Sequence, residues 1–216
     1  MTIDTVVGET VARIEAIHAA REQALSMSRA LVRQCANAIR AVHRAEFEDA
    51  EQQLREATRL VRELRDALGE HPSLLYAGYT QDALKEYAEA ALVYAFLKDE
   101  APPAAAMLQV DPAAYLNGMA EAASELRRAI LDGLRHGEVD RGERLLGIMD
   151  DVYSLLITVD FPDAVTGGLR RATDALRAVL ERTRGDMTAA IRQEQLTRAL
   201  EAFERQVSDV SQDREG

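Results

Sequence analysis

The feature that most constrains this chain is a helical pattern with no breaker inside it. Over residues 9–44 the apolar side chains Val11, Ile14, Ile17, Leu25, Val32, Ile39 and Val42 recur at helical spacing, and neither glycine nor proline interrupts the run. That predicts one long amphipathic helix. The same period continues downstream. A second helix is predicted over 46–68, with Gly69 placed to supply a left-handed cap. His71-Pro72 opens a short helical turn, and 80–97 follows with Thr80 as N-cap and Asp82 in the first turn.

Residues 99–110, with Pro102-Pro103, are the clear internal loop. Asp111-Pro112 then offers an N-cap and a proline at the first helical position, launching a helix that ends before Gly137. Beyond the Gly137-Glu138-Val139-Asp140 turn, helices are predicted over 141–159, stopped near Phe161-Pro162, and over 163–183. Asp186 is expected to cap a last helix carrying Ile191, Leu196, Leu200 and Phe203, and the polar tail from Ser208 is expected to fray. The sum is an all-α chain, one domain over 1–216 built from about seven or eight helices, with residues 1–8 and 208–216 expected to be flexible.

Composition agrees. Aromatics make up 5% of the 216 residues, Trp is absent, and there are 12 Gly and 5 Pro, which leaves a helix-favouring mix rich in Ala, Leu, Arg and Glu. The single cysteine, Cys35, excludes an intrachain disulfide framework and a cysteine-based zinc site. The longest strongly apolar run, 90–97, is too short to cross a bilayer, so a cytoplasmic protein without a membrane partner is expected. The formal net charge of -11 opposes non-specific nucleic-acid binding through overall charge, so any such role needs basic residues gathered on one surface.

Two charge patterns carry possible chemistry. In QDALKEYAEAAL, Glu86 and Glu89 form an i, i+3 pair one turn after Asp82; in YLNGMAEAASELRRAI, Glu121 and Glu125 form an i, i+4 pair. Alanines beside each acid would let two helices approach and bring the carboxylates together. Their repulsion would then be costly unless a divalent cation sat between them. Oxygen-only ligands favour Mg²⁺ or Mn²⁺, which can activate water against a phosphodiester. On spacing alone, a solvated acidic face remains the commoner outcome. A ferritin-like di-iron site is disfavoured, because His18, His43, His71 and His136 do not follow the Glu-x-x-His pattern.

The second pattern is an acid-free stretch, residues 23–45, which carries Arg29, Arg33, Arg40 and Arg44 together with His43. Spacings of 4, 7 and 4 put the four arginines within roughly 60° of one another around a helix. This stripe could pair with phosphates, or it could bridge to the acidic helix carrying Glu48, Glu51 and Glu56. Elsewhere Gly167-Gly168 is an isolated pair, not a phosphate-binding loop, Cys35 suits packing rather than nucleophilic chemistry, and the aromatics are too scattered for a base-stacking platform.

Along most of its length the chain resembles the translin/Trax family. Leu84-Lys85-Glu86-Tyr87-Ala88-Glu89-Ala90 is similar to the LQEYVEA-like segment of Trax. Tyr115-Leu116-Asn117-Gly118-Met119-Ala120, followed by Glu121 and Glu125-Leu126, is similar to its YLxGxAxxxxEL-like segment. Ser28-Arg29, His43-Arg44, the Gly137–Asp140 turn and Val152-Tyr153 fall in the same order, so the resemblance spans about 20–185.

The resemblance implies a translin-like α-α superhelix that assembles into a hollow, octamer-like homo-oligomer, and a compact archaeal-type member because a long insertion is missing. It also implies an endoribonuclease that acts on single-stranded or short structured RNA, with single-stranded DNA a further ligand. Glu86, Glu89 and Glu121 would be its catalytic and Mg²⁺- or Mn²⁺-binding residues, Glu125 an additional or supporting ligand, and Arg29, Arg33, Arg40 and Arg44 its nucleic-acid-binding stripe. Glu121 stands where the family has aspartate. A non-catalytic RNA- or DNA-binding oligomer is the alternative.

Overall fold

In the computed structural model, which describes residues 2–212 and the side chains up to residue 206, nine helices account for nearly all of the described chain. They are α1 (Ile3–His43), α2 (Phe47–Ala67), α3 (Pro72–Leu75), α4 (Gly78–Lys98), α5 (Ala105–Leu108), α6 (Pro112–Leu134), α7 (Val139–Leu156), α8 (Asp163–Thr166) and α9 (Leu169–Gln212). The all-α expectation holds. Three of the nine, α3, α5 and α8, are single turns: the first was expected after His71-Pro72, the second lies in the expected 99–110 loop, and the third is cut from the expected 163–183 helix by the Gly167-Gly168 bend.

The helices pack in series, α2 on α1, α1 on α4, α4 on α6, and α6 against both α7 and α9. The central position of α4 follows from its composition. It buries Ala83, Ala88, Ala90, Ala91 and Ala95 together with Leu84, Leu92, Val93, Phe96 and Leu97, so it is apolar almost all round, as a helix with neighbours on every side must be. One core cluster, including Leu31, Cys35, Leu64 and Leu84, fills the space among α1, α2 and α4. A second, including Leu92, Leu126, Leu145 and Leu180, joins α4 to α6, α7 and α9.

Several expected boundaries move, each for a local reason. α1 begins at Ile3 rather than near residue 9, where the Thr2 hydroxyl accepts from the Thr5 amide at 3.3 Å. The reversal after α1 is made by Ala45 at φ 59°, and Gly69 is not the left-handed residue after α2. Thr80 is no N-cap; it lies inside α4, fully buried, and its hydroxyl donates to the Leu74 carbonyl at 2.8 Å.

The break expected at Asp186 is absent. α9 runs through Gly185 because Leu176, Leu180, Thr183 and Met187 form one buried stripe, and Asp186 instead pairs with Arg127 at 2.8 Å. That packing outweighs the cost of about 1 kcal/mol of a mid-helix glycine. The expected fraying from Ser208 falls beyond the described side chains.

At both ends the long helices outrun their neighbours. Ile3, Val7, Val11, Ile14 and Ile17 on α1, and Leu196, Leu200 and Phe203 on α9, are exposed. Among the described residues no helix is long and apolar enough to cross a membrane.

Candidate metal centre

The site is built where α4 meets α6. Asp99 closes α4 in the left-handed region, and the 99–111 connection carries the chain back, so that α6 starts beside the start of α4. Gln81 reaches the Asp111 carboxylate at 3.2 Å there. The two helices therefore run in the same direction, and residues at matching heights face one another. Close approach depends on Gly118: a Cβ at that position would lie 2.7 Å from the Lys85 carbonyl oxygen, 3.0 Å from the Ala88 Cβ and 3.1 Å from the Glu89 nitrogen. Gly118 thus sets the spacing of the two carboxylate helices at the height of the acids.

This contact brings Glu86 and Glu89 of α4 together with Glu121 of α6, with one carboxylate oxygen from each lying within 4.8 Å of the others. No other group of three or more potential ligands converges in this way among the described residues. All three side chains are half-buried. Burial raises the Glu89 carboxyl to about 8, and the negative charges of Glu86, Glu121 and Glu125 push in the same direction. A carboxyl group shifted that far reports three acids crowded into a partly dry space, an arrangement a divalent cation would relieve.

Two basic groups border the acids: Lys85, which was given no role from the sequence, and His43, which was grouped there with the arginine stretch rather than with the acids. Lys85 sends its Nζ to both oxygens of Glu121, at 2.6 and 2.5 Å, and lies 3.4 Å from Glu86 Oε1. Partial burial pulls the Lys85 ammonium down, but the hydrogen bonds and charge of Glu121, then of Glu86, outweigh it and leave it above the ordinary lysine value. The imidazole of His43, only 2% exposed, donates from Nε2 to Glu125 Oε1 at 2.8 Å. Its Nδ1 is buried without a partner. Glu125 thus faces His43 and stands outside the group of three, although its charge is felt at Glu89. Asp82 is exposed and also outside the group.

Cys35 is buried between α1 and α4, and its thiol is raised well above the usual range, first by burial and then by Glu86 and Glu89. That fits packing rather than nucleophilic chemistry. It also orients α1, whose Cys35 face looks toward the acids. The arginine stripe lies about 120–180° round the helix from Cys35, on the solvent side.

Arg29, Arg33, Arg40 and Arg44 are all exposed, and none bridges to Glu48, Glu51 or Glu56. Arg40 donates to Asn37 and Arg44 pairs with Glu46, both at 2.5 Å, whereas Arg29 and Arg33 have no carboxylate partner among the described residues. The acids they were expected to meet are engaged on α2 itself, Glu51 by Arg55 and Glu56 by Arg59. The stripe is therefore a surface of its own, separate from the acidic group.

No family model matches the chain. It is 31% identical over 173 residues to MJ0175, an uncharacterized protein of Methanocaldococcus jannaschii, covering 79% of this chain and 76% of that one. The crystal structure of AfC3PO superposes on it with a TM-score of 0.80 at 34% identity, over 87% of this chain and 97% of that one. The chain belongs to the translin/Trax family. The structure of AfC3PO in a duplex RNA complex matches over the same shares, with a TM-score of 0.79 at 33% identity. Apo-NeC3PO, at 18% identity and a TM-score of 0.78 over 88% of this chain and 98% of that one, shows the common fold.

Proposed function

We propose that this protein is a metal-dependent endoribonuclease of single-stranded or short structured RNA, duplexes included, with single-stranded DNA as a secondary ligand. The observation that carries the proposal is the meeting of Glu86, Glu89 and Glu121 from two helices. The donor set fits a hard divalent ion: three carboxylates, no sulfur or imidazole among them, and a cation, the Lys85 ammonium, already drawn to one of them. Mg²⁺ or Mn²⁺ bound there would supply an activated water and neutralise charge developing on the phosphodiester. Glu86, Glu89 and Glu121 would hold the ion, and Glu125, fixed by His43, would support it from outside.

Binding is assigned to the outer surface of α1, where the unpaired Arg29 and Arg33, with Arg40 and Arg44, offer guanidinium groups to phosphates. A translin/Trax relative holding duplex RNA supports this class of ligand. The exposed apolar stripes at the ends of α1 and α9 support association into a homo-oligomer; an octamer-like, hollow form and a cytoplasmic location rest on the family resemblance alone.

One observation favours a second reading, a non-catalytic RNA- or single-stranded-DNA-binding oligomer: Lys85 already neutralises Glu121. Cleavage of end-labelled single-stranded and duplex RNA by the purified protein, with Mn²⁺ and with chelator, separates the two. Metal-dependent products that disappear in Glu86→Ala and Glu121→Ala support the nuclease. Salt-sensitive binding without products at any metal concentration supports the binding protein, and cleavage unchanged in both variants sinks the site assignment.

A further inference from the structure

The Lys85 ammonium is bound where a metal would need to bind. It contacts both oxygens of Glu121 at 2.6 and 2.5 Å and approaches Glu86 Oε1 at 3.4 Å, thereby touching two of the three carboxylates that converge. An ammonium on both oxygens takes one lone pair from each and offsets the charge that would draw a metal to Glu121. A second cation brought within the same few ångströms would also be repelled by the first. Lys85 does have somewhere else to go. It borders an open groove of about 890 Å³ running from the N-terminal end of α4 past Asp111 and Asn117 to Gly167 and Arg171, and Glu121 lies on the same wall.

We infer that Lys85 is an internal competitor of the divalent ion: it holds Glu121 in the metal-free protein and must release it, turning toward the groove, before all three carboxylates can bind one metal. This rests on the metal-centre reading and makes it more specific. Occupancy becomes an exchange of one cation for another, so the protein binds metal more weakly than three converging glutamates would alone. A purely supporting lysine, one that merely balances the charge of the acids around a bound ion, would have the opposite effect: its loss would weaken metal binding or leave it unchanged.

Two measurements test the exchange, neither depending on turnover. Mn²⁺ binding, followed by the loss of free-ion electron paramagnetic resonance signal, is compared in the wild-type protein, Lys85→Gln and Lys85→Met. The inference expects both substitutions to tighten the apparent Kd about tenfold, within the range by which neighbours of metal ligands shift affinity.

The second uses the wild-type protein, which has only two lysines, Lys85 and Lys98. Lys98 is paired with Tyr94 and Glu100, so lysine labelled with ¹³C at Cε gives a reporter and an internal control. Titration with Mg²⁺ should shift the Lys85 resonance and leave that of Lys98 in place. Metal binding with an unmoved Lys85 resonance, or a Kd unchanged or weakened in the variants, overturns the inference while leaving the metal centre standing. Absence of metal binding in every form overturns both.

Discussion

The acidic group and the arginine stripe are both clusters of like charge at helical spacing, yet the fold treats them in opposite ways. The arginines belong to one helix and stay in solvent, two of them without a carboxylate partner among the described residues. The glutamates come from two helices, are half-buried, and crowd together until Glu89 is raised to about 8. A surface stripe costs little and binds by long-range attraction that salt can screen. A partly buried convergence of like charge is costly to fold unless a cation offsets it. Under the proposed function, affinity belongs to α1 and chemistry to the α4–α6 contact.

The widest gap between the two regions is expected in catalysis. Glu89→Ala or Glu121→Ala should lower metal-dependent RNA cleavage by about 100-fold or more, since losing even a supporting partner of a metal ligand costs about 10–100-fold, while RNA binding at low salt stays nearly unchanged. Gel shift and cleavage assays on the same preparations show whether the two activities separate. Parallel loss of both would dissolve the distinction drawn here.

Next in size is the contact that makes the convergence possible. Gly118→Ala puts a Cβ 2.7 Å from a backbone oxygen that cannot swing aside, so α6 must back away from α4. The expected cost is about 1–3 kcal/mol, as for overpacking elsewhere, or about 2–4 °C of melting temperature per kcal/mol in a protein of this size. Mn²⁺ affinity should fall with it. Gly147→Ala, where a Cβ would meet open space, is the matched control. A melting temperature in Gly118→Ala no lower than the control would show that the close approach is not needed.

For the stripe, charge reversal at the two unpaired arginines, Arg29→Glu with Arg33→Glu, should weaken RNA binding about tenfold near 0.1 M salt and flatten its salt dependence by about two phosphate contacts. Melting temperature and Mn²⁺ affinity should hold, because neither side chain touches the core or the acids. Binding measured by fluorescence anisotropy across a salt series decides it. A salt slope identical to that of the unaltered protein would move the RNA surface elsewhere.

How much of this was legible beforehand follows the same division. Whatever depends on one helix could be read from spacing: the long α1, the Asp111-Pro112 start of α6, and the shared face of the four arginines. Features that depend on how two helices sit against each other could not. By spacing Glu121 and Glu125 were equivalent on their own helix, and only the family resemblance set the first apart; the register with α4 supplies the reason, turning Glu121 toward Glu86 and Glu89 and Glu125 toward His43. Lys85 was visible only as part of a family-like segment, and its contact with Glu121 depends on α6 lying beside it. Gly118 was visible within a family-like segment, but its reason is the backbone of α4 rather than its own conformation. The same limit explains Gly185 and Asp186, which carry a local stop signal that the buried stripe from Leu176 to Met187 overrides.

The last test addresses the cost of the convergence directly. The folded protein holds a proton on Glu89 up to about pH 8, whereas the unfolded chain releases it near the ordinary carboxylate value. Across that window the folded state binds more protons than the unfolded state, so the metal-free protein should lose stability as pH rises, and the loss should level off above about 8. A bound metal reverses the balance, because it needs the deprotonated carboxylate, and its stabilisation should therefore grow over the same interval. Melting curves from pH 5 to 9 with chelator should fall further in the unaltered protein than in Glu89→Gln, which has nothing to titrate at that position. Added Mn²⁺ should recover the difference at pH 8 but not at pH 5. Parallel curves for the two proteins would mean that Glu89 is ionised at little cost, and that the α4–α6 acids resemble the arginine stripe more than they differ from it.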